Sequence, residues 1–230
     1  MKEKMTAVIA MFLLIIVLLL SSFQLAIYGD ADFSWYEKEY LKYSVTDSLS
    51  MEIDDVMTVS GYMMDYLIGK EDVLSIEANV DGEEQDFFNE QDRLHMADVR
   101  NLFIGGLYLR DVLLILCILM VVFMIFKKWE VKKLLAHAYN VALAVFLSLL
   151  VFLGVACAID FTKVFTIFHH IFFTNDLWLF DPRTDYMIRM LPEGFFFDMV
   201  VRIGGVFVAS LLVVKVCFLI LNRKGKSIRK

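Results

Sequence analysis

Four long apolar runs alternate with polar stretches along this chain. The runs cover residues 6–27, 107–126, 138–159 and 199–221. A bilayer core of about 30 Å needs about 20 apolar residues in a helix to cross it. Backbone amides in lipid have no water to bond, so each run has to be helical. The pattern predicts an α-helical integral membrane protein with four transmembrane helices and a small, mostly helical extracellular cap.

The first run is read as a retained span. Its apolar core is longer than the 7–15 residues typical of a signal peptide, and Ser21-Ser22-Phe23 offers only a weak cleavage site. The chain is then expected to divide into five segments. These are an N-terminus with the first transmembrane helix (1–27), an acidic cap (28–106), the second and third transmembrane helices with a basic link (107–159), an aromatic outer link (160–198), and the fourth transmembrane helix with a basic tail (199–230).

The basic residues outside the runs indicate the orientation in the membrane. They cluster at the N-terminus, in the link after the second run and in the C-terminal tail: Lys2, Lys4, Lys127, Lys128, Lys132, Lys133, Arg223, Lys224, Lys226, Arg229 and Lys230. Cytoplasmic loops carry an excess of Lys and Arg. The sequence therefore predicts cytoplasmic N- and C-termini, with 28–106 and 160–198 facing outward.

The composition limits both the kind of partner and the role of the cysteines. Segment 28–106 carries 19 Asp and Glu against 5 Lys and Arg, so the acidity of the chain belongs to the cap and argues against nucleic acid as a partner. All three cysteines, Cys117, Cys157 and Cys217, fall within apolar runs, which makes them apolar packing residues rather than a disulfide framework.

The sequence of the cap predicts two helices and one strand. Residues 50–67 have helical periodicity with Ser50 as a possible N-cap, and 74–80 alternate as a strand that closes at Asp81-Gly82, although no partner strand is evident. A second helix is expected over 89–104. Gly105-Gly106 is expected to separate that helix from the second span.

Aromatic residues mark both outward segments. Those in 28–43 suit either an interfacial belt or the wall of a lipid-binding site. In the outer link, Phe161, Phe165, Phe168 and Phe172 recur at helical spacing. Asn175-Asp176 indicates a turn, and Asp181-Pro182 can start a short helix that ends by Pro192. This link is expected to lie in the outer headgroup region.

Three of the four histidines lie in the outward segments. His95 has Asp98 one helical turn further on, where a carboxylate can fix the imidazole tautomer or form an ordinary surface ion pair. His169 shares a face with the phenylalanines of the outer link, and His170 points about 100° away. His137 follows the basic link and is expected to be an interfacial residue with no catalytic role. Two outward histidines could form an acid–base pair near neutral pH.

Common catalytic signatures are absent from the sequence. There is no HExxH, GxSxG, P-loop or GxGxxG motif. A zinc site built from His95, His169, His170 and Asp176 is a minor alternative, because their spacing matches no recognised zinc pattern. No metal or cofactor is expected.

Layout and local sequence together resemble one family. The four-span topology with an acidic cap, the stretch 95–99 (HMADV), the stretch 168–173 (FHHIFF) and the stretch 178–182 (WLFDP) are similar to the bacterial lipoprotein intramolecular transacylases (Lit). The resemblance covers nearly the whole chain in layout, and the two histidine stretches are its specific part.

The resemblance implies a defined reaction and a set of residues. The substrate would be a diacylglyceryl-modified bacterial lipoprotein at the membrane, whose sn-2 acyl chain moves to the α-amino group of its N-terminal cysteine to give the lyso-form. The two catalytic histidines of the family would correspond to His95 and His169, with His170 as the neighbouring alternative. Polar contacts and confinement in the pocket would come from other nearby residues: Asp98, Asn175, Trp178, Arg183, Phe172 and Phe180.

Two main functional hypotheses follow, with a zinc hydrolase of the outer leaflet as a third and weaker one. The first is this acyltransferase in the bacterial plasma membrane, with its active site at the outer leaflet and histidine acid–base catalysis. The second is a non-catalytic transporter subunit or envelope sensor that uses the acidic cap as a docking surface. A transporter is disfavoured because the apolar runs contain few charged residues that could line an ion path.

Overall fold

The computed structural model describes residues 1–227, with side chains up to residue 221. In chain order the elements are α1 (Lys2–Tyr28), α2 (Ser34–Lys42), α3 (Val45–Leu49), α4 (Ile53–Leu67), β1 (Glu77–Val80), β2 (Glu83–Asp86), α5 (Glu90–Phe126), α6 (Val131–Ile159), α7 (Phe161–Phe172), α8 (Tyr186–Met190) and α9 (Glu193–Ser227). Helices α1, α5, α6 and α9 are long and apolar enough to cross a membrane. The predicted fold class, mostly helical with four candidate spans, is confirmed.

The chain forms two compact units. The first, called here the membrane unit, contains Met1–Ile27, Leu107–Ala158 and the described residues from Val201 onward. The second, called here the cap unit, contains Tyr28–Gly106 and Ile159–Val200. The basic side chains of the C-terminal tail, on which part of the orientation prediction depends, lie outside the described side chains.

Small residues and buried hydrogen bonds between helices characterise the membrane unit. Its buried core includes alanines on two helices, which let neighbouring helix backbones approach closely: Ala7 and Ala10 on α1, Ala138 and Ala142 on α6. The hydroxyl of Tyr139 donates to the carbonyl of Leu211 at 2.6 Å, and the thiol of Cys117 donates to the carbonyl of Ala10 at 3.4 Å. All three cysteines are free, as expected in the absence of a disulfide framework; Cys117 is buried, Cys157 is half-buried and Cys217 is exposed.

Aromatic residues of α2 build the core of the cap unit. Tyr36 and Tyr40 are buried, and both rings pack against Phe195. The hydroxyl of Tyr40 shares a 2.6 Å hydrogen bond with that of Ser60 on α4. These two tyrosines therefore pack in a protein core, where the sequence suggested an interfacial belt or a lipid-binding wall. Alternation of polar and aromatic residues alone did not distinguish the three environments.

The predicted strand has a partner in the structure. β1 pairs antiparallel with β2, and Val80 lies opposite Glu83. Asp81 and Gly82 connect them with positive φ angles of 55° and 87°, as a tight two-residue hairpin turn requires. The partner was missed because its four residues, Glu83–Asp86, are acidic or amide side chains with no apolar alternation.

Three predicted helix boundaries are wrong. Asp181-Pro182 does not start a helix, because residues 182–184 form a turn and α8 begins at Tyr186. Ser50 does not start a helix; it adopts a left-handed conformation at the end of α3, and α4 begins after Glu52. Gly105-Gly106 does not interrupt α5, which continues to Phe126. A glycine inside a helix costs only about 1 kcal/mol relative to alanine, too little to break a helix of 37 residues.

Candidate active site

The N-terminus of α5 determines the position of His95. The side chain of Asn89 accepts from the backbone N–H of Asp92 at 2.9 Å, and the carboxylate of Asp92 accepts from the N–H of Asn89 at 3.1 Å. This reciprocal capping box fixes the first turn of the helix. His95 follows one turn later and is 6% exposed. It lies 12 residues before the apolar run at 107–126 and so outside the membrane-spanning part of α5.

Helix α7 supplies the second histidine. Asp160 caps its N-terminus by accepting from the N–H of Lys163 at 2.9 Å. The helix has one strongly apolar face, and His169 is buried whereas His170 is exposed. The difference follows from the 100° rotation per residue, which turns adjacent side chains in different directions.

The rings of His95 and His169 face each other. Their centroids are 6.1 Å apart and their planes are inclined by 26°. At this separation a single substrate atom can lie about 3 Å from both rings, the spacing that acid–base chemistry requires. The ring of His170 packs at right angles to the indole of Trp178, with the two centroids 5.0 Å apart. The structure therefore brings His95 together with His169 and not with His170.

Aromatic rings surround the two imidazoles. The ring centroid of Phe173 lies 5.2 Å from that of His95 and 5.7 Å from that of His169. Phe180 packs edge-on against His95 at 5.3 Å, and Trp178 lies 4.8 Å from His169. Such a surrounding excludes water and strengthens any electrostatic interaction between substrate and imidazole.

Hydrogen bonding distinguishes the two imidazoles. Nδ1 of His169 lies 2.7 Å from the carbonyl oxygen of Phe165, one turn earlier in α7. A carbonyl only accepts, so Nδ1 carries the proton and Nε2 of the neutral ring holds the basic lone pair. Nδ1 of His95 is buried and has no hydrogen-bond partner among the described residues. No protein group therefore fixes the tautomer of His95 through that atom.

Burial keeps both imidazoles neutral. It lowers the pKa of His95 to about 4, with a further decrease from His169 and a partial increase from the charge of Asp98. Burial also lowers the pKa of His169, although the bond to the Phe165 carbonyl opposes this shift. Both rings are unprotonated at pH 7 and available as proton acceptors. His95 is a weaker base than the ordinary histidine that the sequence suggested.

The link after α7 is bound to the start of α5 by side-chain hydrogen bonds. Gln91 donates to the carbonyls of Leu177 and Leu179 at 3.1 and 2.9 Å. Asn175 donates to the carboxylate of Asp98 at 2.9 Å and accepts the indole N–H of Trp178 at its backbone carbonyl, also at 2.9 Å. These contacts hold Trp178 and the following residues of the link beside the histidines.

Two other predicted site residues, Arg183 and Phe172, lie further from the histidine pair. The guanidinium of Arg183 is exposed and pairs with Asp181. Phe172 is half exposed and packs on Phe168, with the two ring centroids 4.8 Å apart. Asp98, Asn175, Trp178 and Phe180, by contrast, belong to the group of contacts around the histidines: Asn175–Asp98, Trp178–Asn175, Trp178–His169 and Phe180–His95.

Sequence reasoning missed three residues of this region. Phe173 contacts both imidazoles, Gln91 holds the link, and Asp92 is a fully buried carboxyl. Burial raises the pKa of Asp92 to about 7, with a smaller contribution from Asp185. The pattern Asn89-x-x-Asp92 could have indicated the capping box, but no local signal reports burial or the partners of Gln91. No group of three His, Cys, Asp or Glu side chains that could hold a metal ion is found within residues 1–227.

Comparison with known proteins gives one family and one set of related structures. The sequence model of the family "Lipoprotein intramolecular transacylase Lit" matches residues 8–196. The fold is similar to that of the membrane-integral lipoprotein intramolecular transacylase Lit from Bacillus cereus, with a TM-score of 0.80, 21% identity, and 98% of each chain covered.

Two structures of that Bacillus cereus protein with a single histidine substitution are also similar to this chain. The variant with arginine has a TM-score of 0.75 and 20% identity, with 98% of this chain and 94% of that chain covered. The variant with alanine has the same TM-score and identity, with 98% and 96% covered. The comparison with curated protein sequences gave no match.

Proposed function

Because the chain belongs to the lipoprotein intramolecular transacylase Lit family, and is therefore a membrane acyltransferase that acts on lipoproteins, we propose how it performs the reaction. The enzyme moves the sn-2 acyl chain of a diacylglyceryl lipoprotein to the α-amino group of the N-terminal cysteine. The family assignment also decides between the two hypotheses from the sequence, in favour of the enzyme over the transporter subunit or sensor.

One observation carries the proposal of histidine catalysis. His95 and His169, from two different helices, face each other at 6.1 Å among aromatic side chains. Imidazoles are the side chains best suited to proton transfer near neutral pH. A polar pair in such surroundings costs free energy, which supports a functional rather than a structural role.

The reaction needs one nucleophile and one proton transfer. The nitrogen of the neutral α-amine attacks the carbonyl carbon of the sn-2 ester, so a carbon–nitrogen bond forms and the bond from that carbon to the glyceryl oxygen breaks. One proton leaves the nitrogen and reaches the glyceryl oxygen. The products are an amide and a free glyceryl hydroxyl, and no water, metal or cofactor is consumed.

The two imidazoles suit different parts of that transfer. Nε2 of His169 takes the proton from the attacking nitrogen, because its Nδ1–H is held by the carbonyl of Phe165, which also stabilises the imidazolium. His95, whose low pKa makes it a poor base, donates an N–H to the developing oxyanion as a neutral ring. General acid–base catalysis of this type contributes about 10²–10⁴-fold to a rate.

The aromatic surroundings protect the reaction from water. A water molecule at the same position as the amine would hydrolyse the ester and release a fatty acid. Phe173, Phe180 and Trp178 occupy the space around the imidazoles and disfavour that competitor. The ester that gives the acyl chain and the amine that receives it belong to the same molecule. Holding them in one orientation lowers the activation barrier by roughly several kcal/mol.

The location follows from the charge distribution. With the N-terminus and the basic link on the cytoplasmic side, the cap unit, which includes α7, faces outward and the reaction occurs at the outer leaflet. The lipoprotein substrate then reaches the enzyme within the plane of the membrane. Labelling of intact cells with an impermeant reagent, at single cysteines introduced into the cap and into the basic link, tests this orientation.

The test of the mechanism uses purified protein and a synthetic diacylglyceryl lipopeptide. Mass spectrometry follows the acyl position for the wild type and for His95→Ala, His169→Ala, His170→Ala and His137→Ala. We expect acyl migration to fall by about 100-fold or more in the first two variants. His137 is exposed on α6 and its variant is the matched control.

Each variant is first checked for membrane insertion and an unchanged thermal unfolding transition. Full activity of His95→Ala or His169→Ala removes that residue from the mechanism. An inactive His170→Ala with an active His169→Ala reverses the assignment of the second histidine.

A further inference from the structure

A carboxylate fixed by the link lies on the same helix face as His95. Asp98 follows His95 by one turn of α5, and its Oδ2 accepts from Nδ2 of Asn175 at 2.9 Å. Asn175 is held in turn, because its own Oδ1 accepts from the N–H of Leu177 at 3.1 Å. The half-buried carboxylate of Asp98 is thus anchored on a defined segment rather than free in solvent.

The electrostatic surroundings of Asp98 lack a positive partner. None of the ion pairs formed by the described residues includes it: the acids involved are Glu39, Asp65, Asp81, Asp86, Asp111, Glu130, Asp181 and Asp198. The nearby imidazoles of His95 and His169 are neutral at pH 7. A negative charge held beside neutral, mostly aromatic surroundings is a site that attracts a cation.

Aromatic rings lie next to His95, the histidine one turn before Asp98. Phe173 and Phe180 pack on His95, and the indole of Trp178 donates its N–H to the carbonyl of Asn175, the residue that also binds Asp98. Faces of aromatic rings attract ammonium groups, and the attraction grows when water is excluded. A carboxylate beside such rings can in addition accept hydrogen bonds from the N–H donors of a primary ammonium.

We propose that Asp98 is the recognition subsite for the α-ammonium group of the lipoprotein's N-terminal cysteine. This inference rests on the function proposed above, which supplies a substrate with that group. A free α-amino group has a pKa of about 7.7–8.0 and is mostly charged at neutral pH. Bringing that charge into a water-poor site is costly without an opposite charge, and Asp98 supplies one.

The same contact distinguishes substrate from product. Docked on Asp98, the ammonium releases one proton to solvent and becomes the neutral amine that attacks the ester. After acyl transfer the nitrogen belongs to an amide and carries no charge, so its attraction to Asp98 is lost. Asp98 is therefore a specificity-determining residue that favours entry of the unacylated N-terminus and release of the acylated one.

Binding of two unreactive probes tests the subsite without requiring turnover. Both probes are dialkyl-ether analogues of the lipopeptide, one with a free α-amine and one with an N-acetyl group. Full-length wild type in lipid nanodiscs is expected to bind the free-amine probe roughly 10- to 100-fold more tightly, the range for a hydrogen bond to a charged group. In Asp98→Asn, which keeps an acceptor for Asn175, the two probes are expected to bind with similar affinity.

The matched control is Asp176→Asn, which removes an exposed carboxylate next to Asn175 and should retain the wild-type preference. A second measurement needs no variant: the preference of the wild type should disappear above about pH 9, where the amine is neutral. An undiminished preference in Asp98→Asn, or at high pH, overturns the subsite. A wild type that prefers the free amine but never moves the acyl chain of the ester substrate would instead refute the proposed function and leave the subsite standing.

Discussion

Nδ1 of His169 lies 2.7 Å from the carbonyl oxygen of Phe165, one turn earlier in the same helix. This bond fixes which nitrogen of the buried imidazole carries the proton. It also opposes the decrease in pKa that burial causes, because the carbonyl stabilises the charged ring. A backbone group of α7 thus determines which atom of the imidazole can accept a proton from a substrate.

The first prediction is that neutral His169 is the Nδ1–H tautomer. In ¹⁵N spectra of imidazole-labelled protein, its Nδ1 should have the shift of a protonated nitrogen and its Nε2 that of an unprotonated one. The pair of signals should not change between pH 7 and pH 8, since burial keeps the pKa below its usual value. His169→Ala identifies the signals by their loss. The opposite tautomer would contradict the proposed role of Nε2.

The second prediction concerns the buried carboxyl of Asp92. Its pKa is raised to about 7 by burial, whereas in the unfolded chain it is about 3.9. Between these values the folded protein holds one more proton than the unfolded chain, so the free energy of unfolding falls as the pH rises from about 4 to 7. The loss reaches about 4 kcal/mol when it is complete.

Asp92→Asn removes this loss, because an amide does not ionise. We expect the variant to have a higher Tm than the wild type at pH 8 and no advantage at pH 4–5. Tryptophan fluorescence measures the thermal unfolding of both proteins. His95 contributes with the opposite sign in both proteins, so the difference between them isolates Asp92. Glu90→Gln, at an exposed position in the same turn, is the control. Equal Tm values at pH 8 would show that Asp92 is not an ionised, buried group there.

The third prediction concerns the link that carries Trp178. Gln91 donates to the two carbonyls on either side of it, those of Leu177 and Leu179. Gln91→Ala removes these two hydrogen bonds and leaves the indole held beside His169 only by its bond to the carbonyl of Asn175, so the link can shift and water gains access to the ester. We expect acyl transfer to fall by about 10- to 100-fold, the cost of a displacement of about 1 Å near a reacting centre.

Free fatty acid should rise in the same reaction as transfer falls, and mass spectrometry measures both. Glu90→Ala changes the exposed neighbour of Gln91 and should leave the ratio of transfer to hydrolysis unchanged. If Gln91→Ala transferred the acyl chain as well as the wild type and released no fatty acid, the hydrogen bonds of Gln91 would have no part in excluding water.

The fourth prediction concerns a close approach at the start of α9. A Cβ at Gly194 would overlap with Cε1 of Tyr43, whose hydroxyl is held by Asp198 at 2.6 Å. The ring is restrained and cannot turn aside without losing that bond. Gly194→Ala should therefore lower the free energy of unfolding by about 1–3 kcal/mol, as overpacking does.

Gly204→Ala is the matched control in the same helix, because nothing lies within 4 Å of its added Cβ. This change should be neutral or stabilising, since alanine favours helix over glycine. In the double variant Gly194→Ala/Tyr43→Ser, the smaller side chain at position 43 makes room for the added Cβ. This variant should recover part of the free energy of unfolding that Gly194→Ala loses. An unchanged Tm for Gly194→Ala alone would argue against the close approach of Tyr43.

Length and hydropathy were sufficient to predict the membrane helices. An apolar run of about 20 residues has no other stable state in a bilayer than a helix, so α1, α6 and the apolar parts of α5 and α9 follow from the sequence alone. The apolar periodicity of α7 and the turn at Asp81-Gly82 are local signals of the same kind. The continuity of α5 through Gly105-Gly106 was not predicted, because local propensity is weak against the hydrogen bonding of a long helix.

Tertiary structure decided which side chains meet. The sequence shows that His169 and His170 point in different directions, but which direction faces His95 depends on how the start of α5 and the link pack against α7. Asp98 is anchored by Asn175, 77 residues further along the chain, and the pKa of Asp92 is raised by burial and by Asp185 in the segment after α7. Helix formation depends on hydrogen bonds between residues four apart, so the local sequence pattern predicts it. The burial and the pKa of a side chain depend on neighbours that only the folded chain brings together.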